Sequence, residues 1–203
     1  MILRSLLLSA FVLLSSFIGG APRALAAAVD PTSFVSDLAS RALAPMPNED
    51  TAVKQERFRQ LFRQYFDVEA CARAALGPYW LKATALQRQE FVGLYEDYVV
   101  IAYSTAFRAL GGESFKVLGS QPDKGRVIVT SRIEINDAAP IRVDWQLNPT
   151  NRGYRVTDVI VNGISMASAQ HSDLVSVIQR NSGHVPALLV AMREKNASNG
   201  ILR

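Results

Sequence analysis

Few residues in this chain combine a type and a spacing that could do chemistry. His171-Ser172-Asp173 carries the three side chains of an acyl-transfer triad in consecutive positions. Triad members converge from distant parts of a fold, whereas neighbours on a helix point in different directions. The other histidine, His184, follows Gly183 at a helix start, where capping or solvent is its natural setting. The lone cysteine, Cys71, and two histidines thirteen positions apart match no zinc-ligand spacing. No calcium loop or glycine-rich phosphate loop occurs, so neither a metal nor another cofactor is expected. Cys71 lies among Ala70, Ala72 and Ala75 and reads as a buried helical thiol.

Asp158 is the exception. It shares strand parity with the apolar Tyr154, Val156 and Ile160, so simple alternation aims it inward. Three readings stay open. It could be a general base in a sheet-lined cavity, with a tyrosine such as Tyr98 as its acid-base partner. It could be turned out by a bulge. It could be paired with an arginine or a backbone N–H.

The elements that must position these groups are helical in the first half. Asp30-Pro31 opens a helix with Phe34, Val35, Leu38 and Leu43 on one face, ended by Pro45 and Pro47. Asp50 or Thr51 can cap a second, with Val53, Phe58, Leu61, Phe62 and Phe66 at helical spacing. Asp67 caps a third that Gly77-Pro78 stops. Thr84 and Gln87 form a capping box for a long helix reaching Leu110. Its start is polar and its later part apolar on both faces, which predicts a spine that is exposed first and buried later.

After Gly111-Gly112 the period changes to two. Four strands follow with short turns between them, the last running from Tyr154 to Val161, and Gly163 ends the sheet. Ser165 can cap a helix, and Val185 to Met192 forms the last one, with a frayed charged tail from Arg193. Helices, an antiparallel meander, then helices predict one α+β domain.

Residues 1–26 stand apart. Arg4, an apolar run to Ile18, Gly19-Gly20, Pro22 and then Ala24-Leu25-Ala26 have the layout of a secretory leader cleaved after Ala26. Removing it leaves one domain over residues 27–203 and lowers the net charge from +4 to +2, because Arg4 and Arg23 leave with it. That charge does not point to nucleic acid. Export places the domain where ATP and reduced nicotinamide cofactors are absent. Hydrophobic residues make up 49% of the chain, enough for a packed core or for an apolar cavity, and periodicity does not choose between them.

The residues also resemble a known family. Phe66-Asp67, then Leu76-Gly77-Pro78-Tyr79-Trp80, then Ala83-Thr84 and Gln87-Arg88-Gln89-Glu90-Phe91 are similar to the MlaC/toluene-tolerance family of periplasmic lipid-binding proteins. So is the run from Tyr154 to Ser165. Val143-Asp144-Trp145 and Gly163-Ile164-Ser165-Met166 lean toward its HpnM branch, associated with hopanoids. The aromatic-Arg pair usual after the Gly-x-Ser turn is replaced by Gln170-His171-Ser172-Asp173-Leu174, and Asn162 stands where an acid is usual.

The resemblance implies an NTF2-like α+β fold with four curved strands, no catalysis, and a monomer that carries phospholipid or hopanoid lipid across the periplasm. Implied partners are an inner-membrane MCE-type ABC transporter and an outer-membrane lipoprotein complex. Under that reading, face and parity make Tyr95, Tyr98, Val99, Ala102, Val127, Val129, Val143, Trp145, Val156 and Ile160 the candidate lipid-binding residues.

Overall fold

Short polar side chains start five of the helices. The computed structural model describes residues 29–44, 50–109, 114–136 and 138–199. The leader, the Pro45–Pro47 break and the Gly111-Gly112 turn lie outside these residues. Helix α1 (Pro31–Ala42) begins where the Asp30 carboxylate accepts the Ser33 N–H at 2.8 Å. Asp50 does the same for α2 (Thr51–Tyr65) and Asp67 for α3 (Val68–Leu76). After the short α4 (Tyr79–Lys82), the Thr84–Gln87 capping box opens α5 (Ala85–Ala109), with its two reciprocal bonds at 2.9 and 3.2 Å. Each such cap stabilises its helix by about 1 kcal/mol.

Strands β1 (Ser114–Asp123), β2 (Arg126–Glu134), β3 (Ile141–Thr150) and β4 (Gly153–Val161) pair in sequence order, all antiparallel. The sheet has five strands rather than the expected four. Asn162 and Gly163 both take positive φ, 48° and 84°, and fold the chain back so that β5 (Ile164–Ser165) pairs with the end of β4. Asn-Gly is the usual pair for such a two-residue turn. Helix α6 (Met166–Arg180), capped by Ser165, and α7 (Val185–Ser198) complete the domain. The last helix does not fray at Arg193. Arg193 pairs with Glu90 at 3.2 Å, and the buried Asn196 donates to the Leu94 carbonyl at 3.1 Å.

One irregularity in β4 decides where its side chains go. Val156 faces Leu147, yet Asp158 faces Gln146, so two steps on β4 match one on β3. Thr157 is the extra residue of a bulge, and every later side chain changes face. Val159 and Val161 therefore join the apolar face opposite Trp145 and Val143, while Ile160 sits opposite Asp144.

The apolar residues form two cores. A helical core gathers Phe62, Leu76, Trp80, Phe91, Leu94, Leu174, Ile178 and Leu188 from α2 to α7. A sheet core gathers Val129, Leu147 and Val156 with Val35 and Leu38 of α1. Helix α5 buries its middle, and its side chains beyond Ser104, where the sequence predicts burial, lie outside those described. Phe91 and Val100 are inaccessible, whereas Ala102 is exposed. The middle also buries charge. Arg59 of α2 reaches Glu96 at 2.8 Å and Asp97 at 2.7 Å, and Arg63 adds a bond to Glu96 at 2.9 Å. Asp97 is 1% exposed, so these bonds are sheltered from water and fix α2 against α5. Helix α1 is tied to α2 by the Tyr65 hydroxyl, which donates to Asp37 at 2.5 Å.

Three expected outcomes test these ties. Arg59→Met should lower unfolding stability by about 3 kcal/mol, read from urea midpoints, because two buried carboxylates lose their shared cation. A loss within the range of an exposed pair would show that the cluster is not a structural tie. Asp158→Ala should cost about 2 kcal/mol, since its carboxylate holds the start of α6. Near-neutral behaviour would refute that role. The third concerns pH. The Tyr65 hydroxyl first, and then Arg41, hold the Asp37 carboxyl below the usual carboxylate range. The native value is the lower one, so this stabilisation is complete above the unfolded value of about 4 and vanishes as pH falls through the native one. Asp37→Asn should flatten the acid limb of the stability profile, and an unchanged limb would argue against the bond.

Candidate functional site

Two rows of side chains at four-residue spacing face the sheet. On α2 and just beyond it these are Phe58, Phe62 and Phe66, with the last two rings 4.9 Å apart. On α5 they are Tyr95, Val99 and Tyr103. Residues four apart lie one above another on a helix, so each row forms one wall. The opposite wall is the apolar face of the sheet: Ile133, Ile141, Val143, Trp145, Val159 and Val161. Register explains the set, because Ile133 faces Ile141, Val143 faces Val161 and Trp145 faces Val159 across neighbouring strands. Met166, Ala167 and Gln170 of α6 close one side.

These walls enclose a cavity of about 310 Å³ along the seam between the two cores. That is near the lower end of the roughly 300–1,000 Å³ typical of small-molecule pockets. Trp145 is held in place by a chain of bonds. Its indole N–H donates to Ser131 at 2.9 Å, and Ser131 donates to the Val143 carbonyl at 3.0 Å. Cys71 also borders the cavity, with its sulfur 3.4 Å from the Thr157 carbonyl. Burial first pushes its thiol up to about 12, so it remains protonated and inert.

Of the ten lipid-binding candidates, Tyr95, Val99, Val143 and Trp145 border the cavity. The structure places the other six elsewhere. Val127, Val129 and Val156 belong to the sheet core, because α1 covers that end of the sheet. Ile160 is turned away by the bulge at Thr157. Tyr98 and Ala102 lie a quarter-turn round α5 from the Tyr95–Val99–Tyr103 row. Tyr98 packs under Lys195, whose ammonium is 5.4 Å from the ring centre, and Ala102 is exposed. The choice between packed core and cavity resolves by position. One end of the sheet face is packed by α1 and the other borders the cavity.

The face-by-face reading missed Phe58, Phe62, Phe66, Tyr103, Val159, Val161 and the α6 residues. The three phenylalanines were visible as a four-residue row. Val159 and Val161 required the bulge, whose one signal in the sequence is the inward parity of Asp158.

Asp158 is held by structure. Its Oδ1 accepts the backbone N–H groups of Val159 at 2.8 Å and Ala167 at 3.0 Å, and its Oδ2 accepts the Ser165 hydroxyl at 2.6 Å. Tyr98 does not share the cavity wall with it, so the acid-base pair is not assembled. The triad letters point apart as well. His171 Nδ1 lies 3.0 Å from the Ala75 carbonyl, Ser172 donates to Ser168, and Asp173 is exposed. His171 also explains Gly77. At φ 56° a Cβ on residue 77 would be strained, and it would overlap the imidazole ring. His184 is exposed at the start of α7 and makes no side-chain cap bond. Among the described residues, no group of three or more His, Cys, Asp or Glu could hold a metal ion. No helix among them is long and apolar enough to cross a membrane.

Besides Thr157 and the bonded Asp158, the cavity's polar side chains form one relay. The Tyr95 hydroxyl donates to Gln170 Oε1 at 2.5 Å, and Gln170 Nε2 donates to the Tyr103 hydroxyl at 3.1 Å. Burial, first among the causes, raises Tyr95 far above the ordinary phenol value and keeps it a donor.

The fold is shared with a known protein. The chain is similar in fold to a solved phospholipid-binding protein from Ralstonia solanacearum, determined in complex with a phospholipid. The TM-score is 0.67 at 20% identity, covering 83% of this chain and 96% of that one. The family model described as MlaC protein matches residues 35–194, from the first buried valine of α1 to the ion-paired turn of α7. A match over that span takes in both cores and every cavity wall, and the chain belongs to the MlaC family.

Proposed function

We propose that the protein is a periplasmic lipid carrier that receives acyl chains in the cavity between the two cores. The observation that carries this reading is the cavity itself, apolar on most of its helical and strand walls, with the Tyr95–Gln170–Tyr103 relay and the bonded Thr157 and Asp158 as its polar edge. The similar Ralstonia protein, determined with a phospholipid, supports a phospholipid as the ligand class. The physics favours a passive carrier. Each methylene moved out of water is worth about 0.8 kcal/mol, so a chain of about fifteen gains roughly 12 kcal/mol. No energy source is needed to hold it.

The volume suits one acyl chain better than two. A second chain would enter by parting the seam between cores that pack separately. The finer readings follow the family. The fold is of the NTF2-like kind, residues 1–26 export the chain, and lipid passes between an inner-membrane MCE-type ABC transporter and an outer-membrane lipoprotein complex. A hopanoid ligand, as in the HpnM branch, is the alternative cargo.

Native mass spectrometry of protein purified from its own membrane-containing extract tests the reading. The wild type should carry a bound lipid mass. Val161→Trp, which fills the cavity from its half-buried edge, should reduce bound lipid at least tenfold with an unchanged circular dichroism spectrum. Ligand-free wild type, or a folded variant with full lipid, would overturn the proposal.

A further inference from the structure

The polar relay inside the cavity leaves one proton without an acceptor. Tyr95, Gln170 and Tyr103 all border the cavity, and their bond lengths set the direction of the chain. The 2.5 Å contact to Tyr95 suits O–H···O, and the 3.1 Å contact to Tyr103 suits N–H···O. Gln170 therefore turns its carbonyl oxygen to Tyr95 and its amide nitrogen to Tyr103. Gln170 is 5% exposed and Tyr95 2%, so neither has freedom to reorganise. Tyr103 accepts the amide hydrogen, and its own O–H has no acceptor among the described residues. In an empty cavity water can take that proton. A seated lipid displaces water from the cavity side of the half-buried Tyr103, and a hydroxyl left there without a partner is costly. The acceptor must then come from the ligand.

We infer that Tyr103 is a ligand-recognition residue whose O–H donates to the carbonyl oxygen of an acyl ester, with Gln170 and Tyr95 as positioning residues. The inference rests on the lipid-carrier reading and deepens it. It assigns the cargo to ester-linked acyl lipids rather than to polycyclic hydrocarbons, which offer no carbonyl. Tyr103 is the half-buried member of the relay and Tyr95 the inaccessible one. The ester is therefore held at the outer member while the hydrocarbon runs inward along the Val99 wall. Gln170 completes the relay, and His171 turns to α3.

The test is a competition. Delipidated full-length mature protein is refilled from vesicles holding equal amounts of dioleoyl phosphatidylcholine and its di-oleyl ether counterpart, and bound lipids are weighed by native mass spectrometry. Wild type should prefer the ester by about five-fold, the worth of one neutral hydrogen bond. Tyr103→Phe should lose the preference and take up ester and ether alike. Gln170→Met, which removes the relay but keeps the phenol, should weaken the preference. Equal loading of ester and ether by the wild type would overturn the inference without any variant. So would an undiminished preference in Tyr103→Phe. Wild type that loads neither lipid would instead remove the carrier reading itself, and the inference with it.

Discussion

A single extra residue, Thr157, organises the functional half of the molecule. Without the bulge, β4 would alternate through Val156, Asp158 and Ile160, and a carboxylate would face the apolar side of the sheet. With it, Val159 and Val161 take the apolar face, and Asp158 falls into register with Gln146. The displaced carboxylate is then free to meet Ser165 and the Ala167 N–H at the start of α6. One local irregularity thus completes a cavity wall and anchors the helix that closes the cavity's side. Bulges bend strands and re-aim side chains, and here the re-aimed group is structural.

The cavity persists because its walls are fixed from outside. Apolar cores normally collapse to close packing, and an empty space forfeits dispersion contacts along its lining. Three polar ties oppose collapse here. The Arg59 cluster sets the distance between α2 and α5. Asp158 and Ser165 set the start of α6 against β4. Ser131 holds the Trp145 ring by its indole N–H. The Arg59 and Ser131 ties lie behind the walls and Asp158 at the cavity's edge, so most of the lining can stay apolar while the geometry is set by directional bonds.

Local chemistry was legible in the sequence, and relations between elements were not. The caps at Asp30, Asp50, Asp67, Thr84 and Ser165 could each be read from a few residues, because a cap is a contact within one turn. The fifth strand was also written locally, in Asn162-Gly163 between apolar residues, although β5 is so short that it reads as a sheet end. The bulge was foreseen only as one of several explanations for Asp158. The cover that α1 lays over Val127, Val129 and Val156 depends on packing across more than eighty residues of chain, which periodicity does not contain. The same gap hid the charged cluster. Glu96 and Asp97 look like surface acids on α5 until Arg59 is brought to them.

Under the proposed carrier role, the two-core plan bears on how lipid could be loaded and released without an energy source. If one continuous core spanned the domain, opening the cavity would break its densest packing. Here the seam lies between a helical core and a sheet core, so widening it disturbs contacts across the seam and leaves each core's own packing in place. The helices of the first core are bound to one another by Asn196 to Leu94 and by His171 to Ala75. The strands of the second are bound by their ladder. The links across the seam include the Phe66–Val156 bridge with the Asp67 N–H donating to the Val156 carbonyl, the Cys71 sulfur at the Thr157 carbonyl, the Asp158 contacts with α6 and the apolar walls themselves. A ligand that fills the seam restores the missing dispersion contacts and stabilises the closed form in proportion to its occupancy. Loading and closure are then one equilibrium, and release requires only a partner that competes for the same acyl chain.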